Sequence, residues 1–211
     1  MLVLKDLVIC EDENSDYVCL GPVNKPLNML VRYLDDGPDS VAFKKHVLML
    51  EDYLWMNKGG MFVNGTDGLQ CWDTSFAIQE IHACGYMDKP EYKDILVRAL
   101  QFLEDQQIPE NCKDQHNNYR QVRKGSWPFS KRKQGYAVSD CTAVTLKAVL
   151  LLQSIPGYPQ LINDRRIFDP VDVLLSMQSP DNGFSEYEPS HVGDWIESLN
   201  AAEVFRKIMK S

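Results

Sequence analysis

The sequence lacks the features that mark nucleic-acid-binding proteins and small domains stabilised by metals or disulfides. Its 211 residues carry a net charge of −8, and the longest basic run is Lys131–Lys133. A chain with this charge balance is not expected to bind nucleic acid. The six cysteines include no C-x-x-C pair. Such scattered cysteines are typical of buried, reduced thiols and predict neither a disulfide framework nor a zinc site.

Long hydrophobic runs are also absent. No segment reaches the roughly 18 consecutive apolar residues that a membrane-spanning helix needs. Acidic residues follow soon after the apolar start "MLVLKDLVIC", so no signal peptide is expected. With 44% hydrophobic and 25% charged residues, the composition is that of an ordinary globular protein with a sizeable core. We therefore expect an intracellular protein that is soluble or peripherally attached to a membrane.

Alternating strand patterns are missing as well, whereas helical periodicity recurs along most of the chain. The first 38 residues mix turn residues with one short apolar stretch, so 1–38 is predicted to be an irregular, linker-like segment. For 39–211 we predict an all-α domain. Four helices are predicted in this domain, over 41–55, 74–85, 91–107 and 171–178. The residues expected to begin them are, in the same order, Ser40, Asp73, Pro90, and Asp169 with Pro170.

A further predicted helix, 141–153, has Lys147 as its only charged residue and apolar side chains around nearly its whole circumference. A helix of this kind is normally buried on all sides. Together with its amphipathic neighbours it predicts two layers, in which outer helices shield an inner ring. Asp140 and Cys141 stand at the start of this helix. The acid can be a simple helix cap and the thiol an ordinary core residue, or both can serve chemistry.

Turns that combine glycine with an aromatic residue recur at nearly equal intervals, around Trp72, Trp127 and Phe184. The segments read "GLQCWD", "QVRKGSWPFS" and "QSPDNGFSEYE", with predicted helices between them. A fixed period predicts stacked or ring-closed helical units, although chance can also space three turns in this way. We expect Trp127 and Phe184 to be structural aromatics of these turns.

The segment "QVRKGSWPFS" matches Q-x-x-x-G-x-W, the repeat motif of the triterpene cyclases. "VSDCTA" resembles their acid motif, and "WDTSFAIQ" and "NGFSEYE" stand where that family has close equivalents. From about Gly21 to Phe205 the chain is similar to the oxidosqualene cyclases, most of all to the lanosterol-forming members. The resemblance implies an α/α toroid, here only a partial ring, around a hydrophobic cavity, and it implies no cofactor and no metal ion.

The resemblance also implies a reaction and a set of site residues. Family members fold 2,3-oxidosqualene, protonate its epoxide and guide a cascade of carbocations to a tetracycle. By position, Asp140 would be the proton donor and Cys141 a hydrogen-bond partner of its carboxyl group, while Trp72, Phe129 and Tyr187 would line the cavity. Tyr187 is equally well suited to turn packing. The chemistry suits these residue types, because burial raises the pKa of a carboxyl group and aromatic faces attract cations without reacting with them.

Three further cavity positions bear on the product that the resemblance implies. Where cycloartenol-forming relatives tend to have Tyr, His and Ile, this chain has Thr66, Gln134 and Val138. Thr66 and Val138 are similar to the lanosterol-forming enzymes, and Gln134 is similar to their fungal variety. A smaller side chain beside the acid gives the substrate more room to shift. The resemblance therefore implies lanosterol as the product, with cycloartenol as the alternative.

The chain departs from the family pattern in two residues and in length. Val144 stands where the acid motif usually continues with glutamate, and Asn182 replaces a usual glycine, which is tolerable because asparagine adopts left-handed backbone angles. Family members are several times longer and form two barrels. A partial ring cannot exclude water, so we expect the 211 residues alone not to catalyse cyclisation. Attachment to the endoplasmic reticulum or lipid-droplet membrane would come from regions outside this chain.

Two other classes of protein remain open. Protein prenyltransferase β subunits share the toroid, but they hold zinc through Asp, Cys and His. Asp140 and Cys141 are too close together in sequence for that arrangement. The second class is a non-catalytic helical-repeat module that binds a lipid or a partner protein through its inner face, which Val144 and the short chain favour. Retained zinc would indicate the first class, and lipid binding without turnover would indicate the second.

Overall fold

The computed structural model describes residues 2–180 and 182–188. This part of the chain contains seven α-helices and one short β-hairpin, which confirms the predicted all-α class apart from the hairpin. The helices are α1 (Leu2–Asn14), α2 (Asn24–Asp36), α3 (Val41–Met49), α4 (Gln70–Ala83), α5 (Pro90–Gln106), α6 (Ser139–Gln153) and α7 (Asp164–Ser176). The strands β1 (Leu54–Asn57) and β2 (Gly60–Val63) pair antiparallel, and 3₁₀ turns occupy Glu51–Tyr53 and Arg132–Gln134.

The prediction that residues 1–38 are irregular is wrong, because α1 and α2 occupy most of this segment. Charged residues that are buried in this segment interrupt the apolar periodicity from which helices are predicted. The Asp12 carboxylate on α1 lies 3.0 Å from Nε2 of His46 on α3 and 3.2 Å from Nε of Arg32 on α2. Nζ of the buried Lys25 lies 3.0 Å from Nδ1 of the same histidine. Asp12 is buried because Arg32 and His46 pair with it, and Lys25 is buried because its ammonium group contacts His46 and the carbonyl of Tyr17. Hydropathy alone places such residues at the surface.

Helix α3 is shorter than predicted, and the segment after it forms the hairpin. Ser40 caps α3 as predicted, since its side chain accepts a hydrogen bond from the backbone N–H of Phe43. The helix ends at Met49, however. Both strands of the hairpin are exposed along their whole length, so no alternation of polar and apolar residues marks them in the sequence. The rings of Trp55 and Phe62 stack across the pair with their centroids 4.9 Å apart.

Helix α4 begins before its predicted cap. The carbonyl of Phe129 accepts hydrogen bonds from the backbone N–H groups of Cys71 and Trp72, so a distant segment satisfies the first turn of α4. Asp73 lies inside that first turn and is not the cap. Helix α5 begins at Pro90, as predicted.

Helix α7 also begins earlier than predicted, at Asp164, where the side chain of Asn163 accepts from the backbone N–H of Arg166. Pro170 therefore lies inside the helix and not at its start. A proline has no N–H to donate to the carbonyl one turn before it. That carbonyl, on Arg166, instead accepts a hydrogen bond of 2.9 Å from the side-chain amide of Gln107. A contact from outside the helix thus makes the internal proline tolerable.

Helix α6 lies in the main hydrophobic core and packs against α4, α5 and α7. Trp127 is fully buried in this core, and its indole N–H donates to the carbonyl of Leu103 at 2.7 Å. The prediction that α6 is buried on all sides is wrong, because Ala143, Lys147 and Leu150 are exposed. Their spacing places them on one face of the helix, and no described element covers this face.

All six cysteines are free thiols, and all except Cys84 are buried. This agrees with the reduced, buried state predicted from their scattered positions. Cys84 is the residue after the end of α4 and precedes Gly85, where the chain turns with φ of 71°. Asn182, the residue in place of a usual glycine, adopts φ of 69°, the left-handed conformation expected of it.

Candidate active site

The candidate site is built at the N-terminal end of α6, where separate segments of the chain meet. The backbone N–H of Ser139 donates to the carbonyl of Glu186 at 2.9 Å. One turn further, the hydroxyl of Thr142 donates to the carbonyl of Trp127 and accepts from its backbone N–H. Two of the glycine-aromatic turns therefore anchor the first turn of α6, which carries Asp140.

A cluster of aromatic and aliphatic side chains lies against this end of α6. Val138, Cys141 and Tyr187 are buried in it, and Trp72 and Phe129 pack against them. The ring centroid of Phe129 lies 5.5 Å from that of Trp72 and 6.1 Å from that of Tyr187. These are distances of interacting aromatic pairs. Five of the residues predicted to form the site are therefore neighbours in space.

The structure places the other two predicted cavity residues differently. Gln134 is fully buried at the end of a 3₁₀ turn, and neither atom of its side-chain amide has a hydrogen-bond partner among the described residues. Thr66 is partly exposed in the loop before α4, and its hydroxyl donates to the carbonyl of Gly68 at 3.2 Å. The amide of Gln134 is thus a buried polar group without a partner among these residues, whereas the hydroxyl of Thr66 bonds within its own loop.

Asp140 lies beside this cluster with its side chain exposed, and not in the dry interior that the sequence predicts. The reason is that it belongs to the uncovered face of α6. Its Oδ1 accepts a hydrogen bond of 2.7 Å from the backbone N–H of Cys141. Partial burial still raises the pKa of the Asp140 carboxyl group above its ordinary value, whereas hydrogen bonds from the backbone and from the Cys141 thiol lower it.

The Cys141 thiol is fully buried, and burial raises its pKa. The nearby charge of Asp140 raises this pKa further. The thiol therefore stays protonated at neutral pH and serves as a weak hydrogen-bond donor to the carboxylate. A carboxyl group of raised pKa, oriented by a thiol and a backbone N–H beside aromatic rings, has the composition of a general acid for an apolar substrate.

An open groove of about 460 Å³ begins at Asp140 and runs between α6 and α7. Its walls are mainly apolar and are formed by Ser139, Asp140, Ala143, Val171, Leu174, Leu175 and Phe184. Phe184, predicted to be a structural turn aromatic, is 43% exposed here. Asp140 therefore lies between two apolar surfaces, the packed aromatic cluster on one side and this open groove on the other.

Three residues near the site were missed by the sequence reasoning. Leu20 and Tyr136 pack against the aromatic cluster. Glu186 lies beside the start of α6, and burial and the charge of Asp140 both raise the pKa of its carboxyl group. Leu20 is far from the motifs in sequence, so no local signal identifies it. Glu186 stands next to Tyr187 in a turn already singled out, and its negative charge in an aromatic segment was the available signal.

Among the described residues, one group of side chains could hold a metal ion. Its members, whose possible ligand atoms lie close together, are Asp12, Cys19 and His46. Two cationic side chains already contact this group, because Arg32 pairs with Asp12 and Lys25 contacts His46. Both cations would repel a metal ion at this position. We therefore treat these residues as a structural charge network between the first three helices.

Comparisons with known proteins agree on one family. Residues 70–206 match the Squalene-hopene cyclase C-terminal domain. The chain is 53% identical over 204 residues to "Lanosterol synthase erg7B" of Aspergillus fumigatus. These aligned residues are 96% of this chain and 28% of the relative. Identity to "Lanosterol synthase" of Homo sapiens is 45% over 207 residues, covering 98% and 28%. Identity to "Terpene cyclase/mutase atnI" of Arthrinium sp is 41% over 206 residues, covering 97% and 29%.

The chain thus spans little more than a quarter of the length of these relatives, although nearly all of it takes part in the match. Asp140, Cys141, Trp72, Phe129 and Tyr187 all fall within the matched domain. Across the described residues no helix is both long and apolar enough to cross a membrane.

Proposed function

Since this chain belongs to the family of the squalene-hopene cyclase C-terminal domain, whose members are α/α toroids, we propose that it carries the proton donor and part of the cavity wall of an oxidosqualene cyclase. The reaction would convert 2,3-oxidosqualene to lanosterol. The observation that carries the proposal is the position of Asp140 and Cys141 at the start of α6, beside the rings of Trp72, Phe129 and Tyr187.

In this reaction Asp140 would donate its proton to the epoxide oxygen, and the adjacent carbon–oxygen bond would break to leave a carbocation. The raised pKa of Asp140 favours the protonated form that this step needs. The Cys141 thiol would hold the oxygen of the carboxyl group that carries no proton. Aromatic faces nearby would stabilise the successive cations by about 0.5–2 kcal/mol each.

We further propose that the 211 residues alone do not complete the reaction. Asp140 is exposed to water in this chain, and the groove beside it is open. Water reaching a carbocation would quench it before the cascade ends.

The proposal is tested by giving labelled 2,3-oxidosqualene to the native polypeptide that contains this sequence and separating the products. Asp140→Asn should abolish lanosterol formation, since an amide cannot supply the proton. Asp164→Asn is the matched control, because Asp164 is an exposed acid in the first turn of α7, and it should retain activity. Full activity of Asp140→Asn would refute the role of Asp140 and with it the proposed mechanism.

The product is tested separately. Val138 is fully buried one residue before α6 begins, so Val138→Ile adds a methyl group next to the acid. We expect part of the product to shift from lanosterol to other sterols in the native polypeptide. An unchanged product pattern would count against a role for Val138 in specificity. Cycloartenol from the unaltered polypeptide would favour the alternative product.

A second candidate function, lipid binding without turnover, is favoured by the open apolar groove. Fluorescent isoprenoid binding to the 211-residue chain would distinguish it. Saturable binding that Leu175→Asp abolishes, together with no cyclised product from the native polypeptide, would support it. Leu175 is 62% exposed in the groove wall, so the substitution should leave folding intact.

We also propose that the native polypeptide attaches peripherally to the endoplasmic reticulum membrane or to lipid droplets, because its substrate is a water-insoluble lipid. Cell fractionation tests this point. Recovery in the membrane pellet or in the floating lipid-droplet fraction is expected, and recovery in the soluble fraction would overturn it.

A further inference from the structure

We infer that Arg120 is a positioning residue of the candidate site, because it fixes the places of Tyr136 and Tyr187 in the aromatic cluster. Its guanidinium group joins the segment that leads into α6 to the turn that carries Tyr187. The effect of Arg120 on the reaction rests on the proposed function, whereas the positioning itself can be tested in this chain alone.

The first contact of Arg120 is an ion pair with the turn. Its Nε donates to both carboxylate oxygens of Glu188, at 2.9 Å to Oε1 and 3.1 Å to Oε2. The side chains of Arg120 and Glu188 are 8% and 13% exposed, so little water reaches the pair. A pair shielded in this way is screened by salt much less than a surface pair. Removing either partner leaves the other charge buried and unpaired.

The second contact of Arg120 is with the segment directly before α6. Its guanidinium carbon lies 4.2 Å from the centroid of the Tyr136 ring, a distance at which a cation and an aromatic ring attract each other. Tyr136 in turn packs against the aromatic cluster. A flat guanidinium group can stack on a ring and bond a carboxylate at its edge at the same time. The compact ammonium group of a lysine cannot do both.

Tyr187 lies between two points at which its turn is attached. On one side, the carbonyl of Glu186 accepts a hydrogen bond of 2.9 Å from the backbone N–H of Ser139. On the other side, the carboxylate of Glu188 is bonded to Arg120. The Tyr187 ring between them is buried, with its centroid 6.1 Å from that of Phe129. Without the bond to Arg120 the turn is attached on one side only, and the Tyr187 ring can shift.

Arg120 can position its neighbours because its own loop is held in place. The backbone N–H of Arg120 donates to the carbonyl of Gln115 at 2.9 Å. Three residues later, the guanidinium group of the buried Arg123 donates to the carbonyl of Gly135 at 2.7 Å and to that of Asn14 at 3.1 Å. The loop is therefore attached to α1 and to the segment before α6.

The positioning is tested by fluorine NMR of the 211-residue chain labelled with 3-fluorotyrosine. Tyr136→Phe and Tyr187→Phe assign the two signals. Arg120→Lys keeps the positive charge and should still shift the signal of Tyr187, because the turn loses its bond to the guanidinium group. Circular dichroism confirms that the variant is folded. An unchanged Tyr187 signal in folded Arg120→Lys would overturn the positioning role.

Glu188→Gln tests the same connection from the other side. It removes the charge at the turn and should shift the signal of Tyr136, which Glu188 reaches through Arg120. If Arg120→Lys does not fold, this variant decides, and an unchanged Tyr136 signal overturns the positioning role. Arg166→Lys is the matched control, because Arg166 also pairs with a glutamate of another segment, Glu104, away from the aromatic cluster. It should shift neither signal.

The role in the reaction is tested by steady-state kinetics of the native polypeptide with labelled 2,3-oxidosqualene. Arg120→Lys should lower kcat by about tenfold or more while KM changes little, because displaced rings affect the transition state more than substrate binding. The share of incompletely cyclised products should rise in parallel. A purely structural contribution would lower stability without changing this share, as we expect for Arg166→Lys.

Equal kcat and an equal product share for Arg120→Lys and the unaltered polypeptide would overturn the role of Arg120 in the reaction. Absence of any cyclised product from the unaltered polypeptide would instead refute the proposed function. The fluorine signals would still decide on the positioning of Tyr136 and Tyr187.

Discussion

Among single residues, Asp67 shows most directly how burial and hydrogen bonding oppose each other. It lies three residues before the start of α4, and the hydroxyl of Ser130 donates to its Oδ2 at 2.5 Å. Burial raises the pKa of Asp67 to about 6, although the bond from Ser130 lowers it. The same two segments carry Trp72 and Phe129. The protonation state of Asp67 therefore affects the segments that hold the aromatic cluster.

This shift has a definite sign for stability. A carboxyl group whose pKa is higher in the folded than in the unfolded state favours folding most when it is protonated, below about pH 4, and this contribution is lost as pH rises through 6. Asp67→Asn keeps an acceptor for Ser130 and removes the charge. We therefore expect it to increase the free energy of unfolding by about 1–2 kcal/mol at pH 7.5, and by less at pH 4. Urea denaturation at both pH values measures this, and an equal gain at both would contradict the cause.

For the individual site residues, the acid motif alone explains only part of what the structure shows. Asp140 and Cys141 were recognisable from "VSDCTA" because the motif is contiguous. The exposure of Asp140 and the presence of Glu186 beside it were not, since both depend on contacts between segments more than 40 residues apart in the chain. Val144 lies four residues after Asp140, about one helical turn away, where the resemblance implies a glutamate, and its carbonyl accepts a hydrogen bond from the side chain of Gln79.

At the scale of single elements, α7 depends on a residue outside it. The side-chain amide of Gln107 donates to the carbonyls of Gly125 and Arg166, and its oxygen accepts from the Arg166 guanidinium group. The buried Gln107 thus satisfies the backbone group that Pro170 leaves free. Its three bonds connect the segment after α5, a glycine turn and α7.

Gln107→Leu should lower the free energy of unfolding by about 1–3 kcal/mol, because it leaves buried carbonyl groups without donors. Amide hydrogen exchange in the first half of α7 should accelerate in parallel. Gln101→Leu, at an exposed position of α5, is the matched control and should change stability little. Equal stability of the two variants would show that water replaces the amide without cost.

Local sequence signals determined some elements and not others. Ser40 and Pro90 began helices as predicted, since a capping side chain and a proline in the first turn act within a few residues. Asp73 and Pro170 misled the prediction, because the carbonyl of Phe129 and the amide of Gln107 supply from a distance what a local cap would supply. The exposed hairpin carried no alternation, so no period identified it.

At the scale of the whole molecule, the distribution of exposed apolar side chains stands out. Leu175 on α7 is 62% exposed in the wall of the open groove, and Leu150 on α6 is 47% exposed in a neighbouring depression that shares Ala143 and Leu174 with the groove. A soluble surface rarely leaves such residues together unless another surface or a ligand covers them. We therefore expect this face to be the main contact when copies of the isolated chain associate with each other.

Replacing both residues in Leu150→Gln/Leu175→Gln should reduce binding of a hydrophobic dye and shift the chain towards the monomer in analytical ultracentrifugation. Its free energy of unfolding should change by less than about 1 kcal/mol, because both side chains are already largely in water. Met61→Gln in the hairpin, at 66% exposure, is the control for a general loss of apolar surface. An equal effect of the control would show that the groove has no special part in association.

The sequence by itself determined the helical class and the family, and it predicted Asp140 and Cys141 as the candidate acid and its neighbouring thiol, because each of these signals is encoded in contiguous or periodic residues. Tertiary structure decided which face of α6 is covered, that the charges of Asp12 and Lys25 belong inside, and that Glu186 lies beside Asp140. The physical reason is that burial and charge pairing depend on residues distant in the chain. A carboxyl group acquires its pKa from those neighbours and not from its motif.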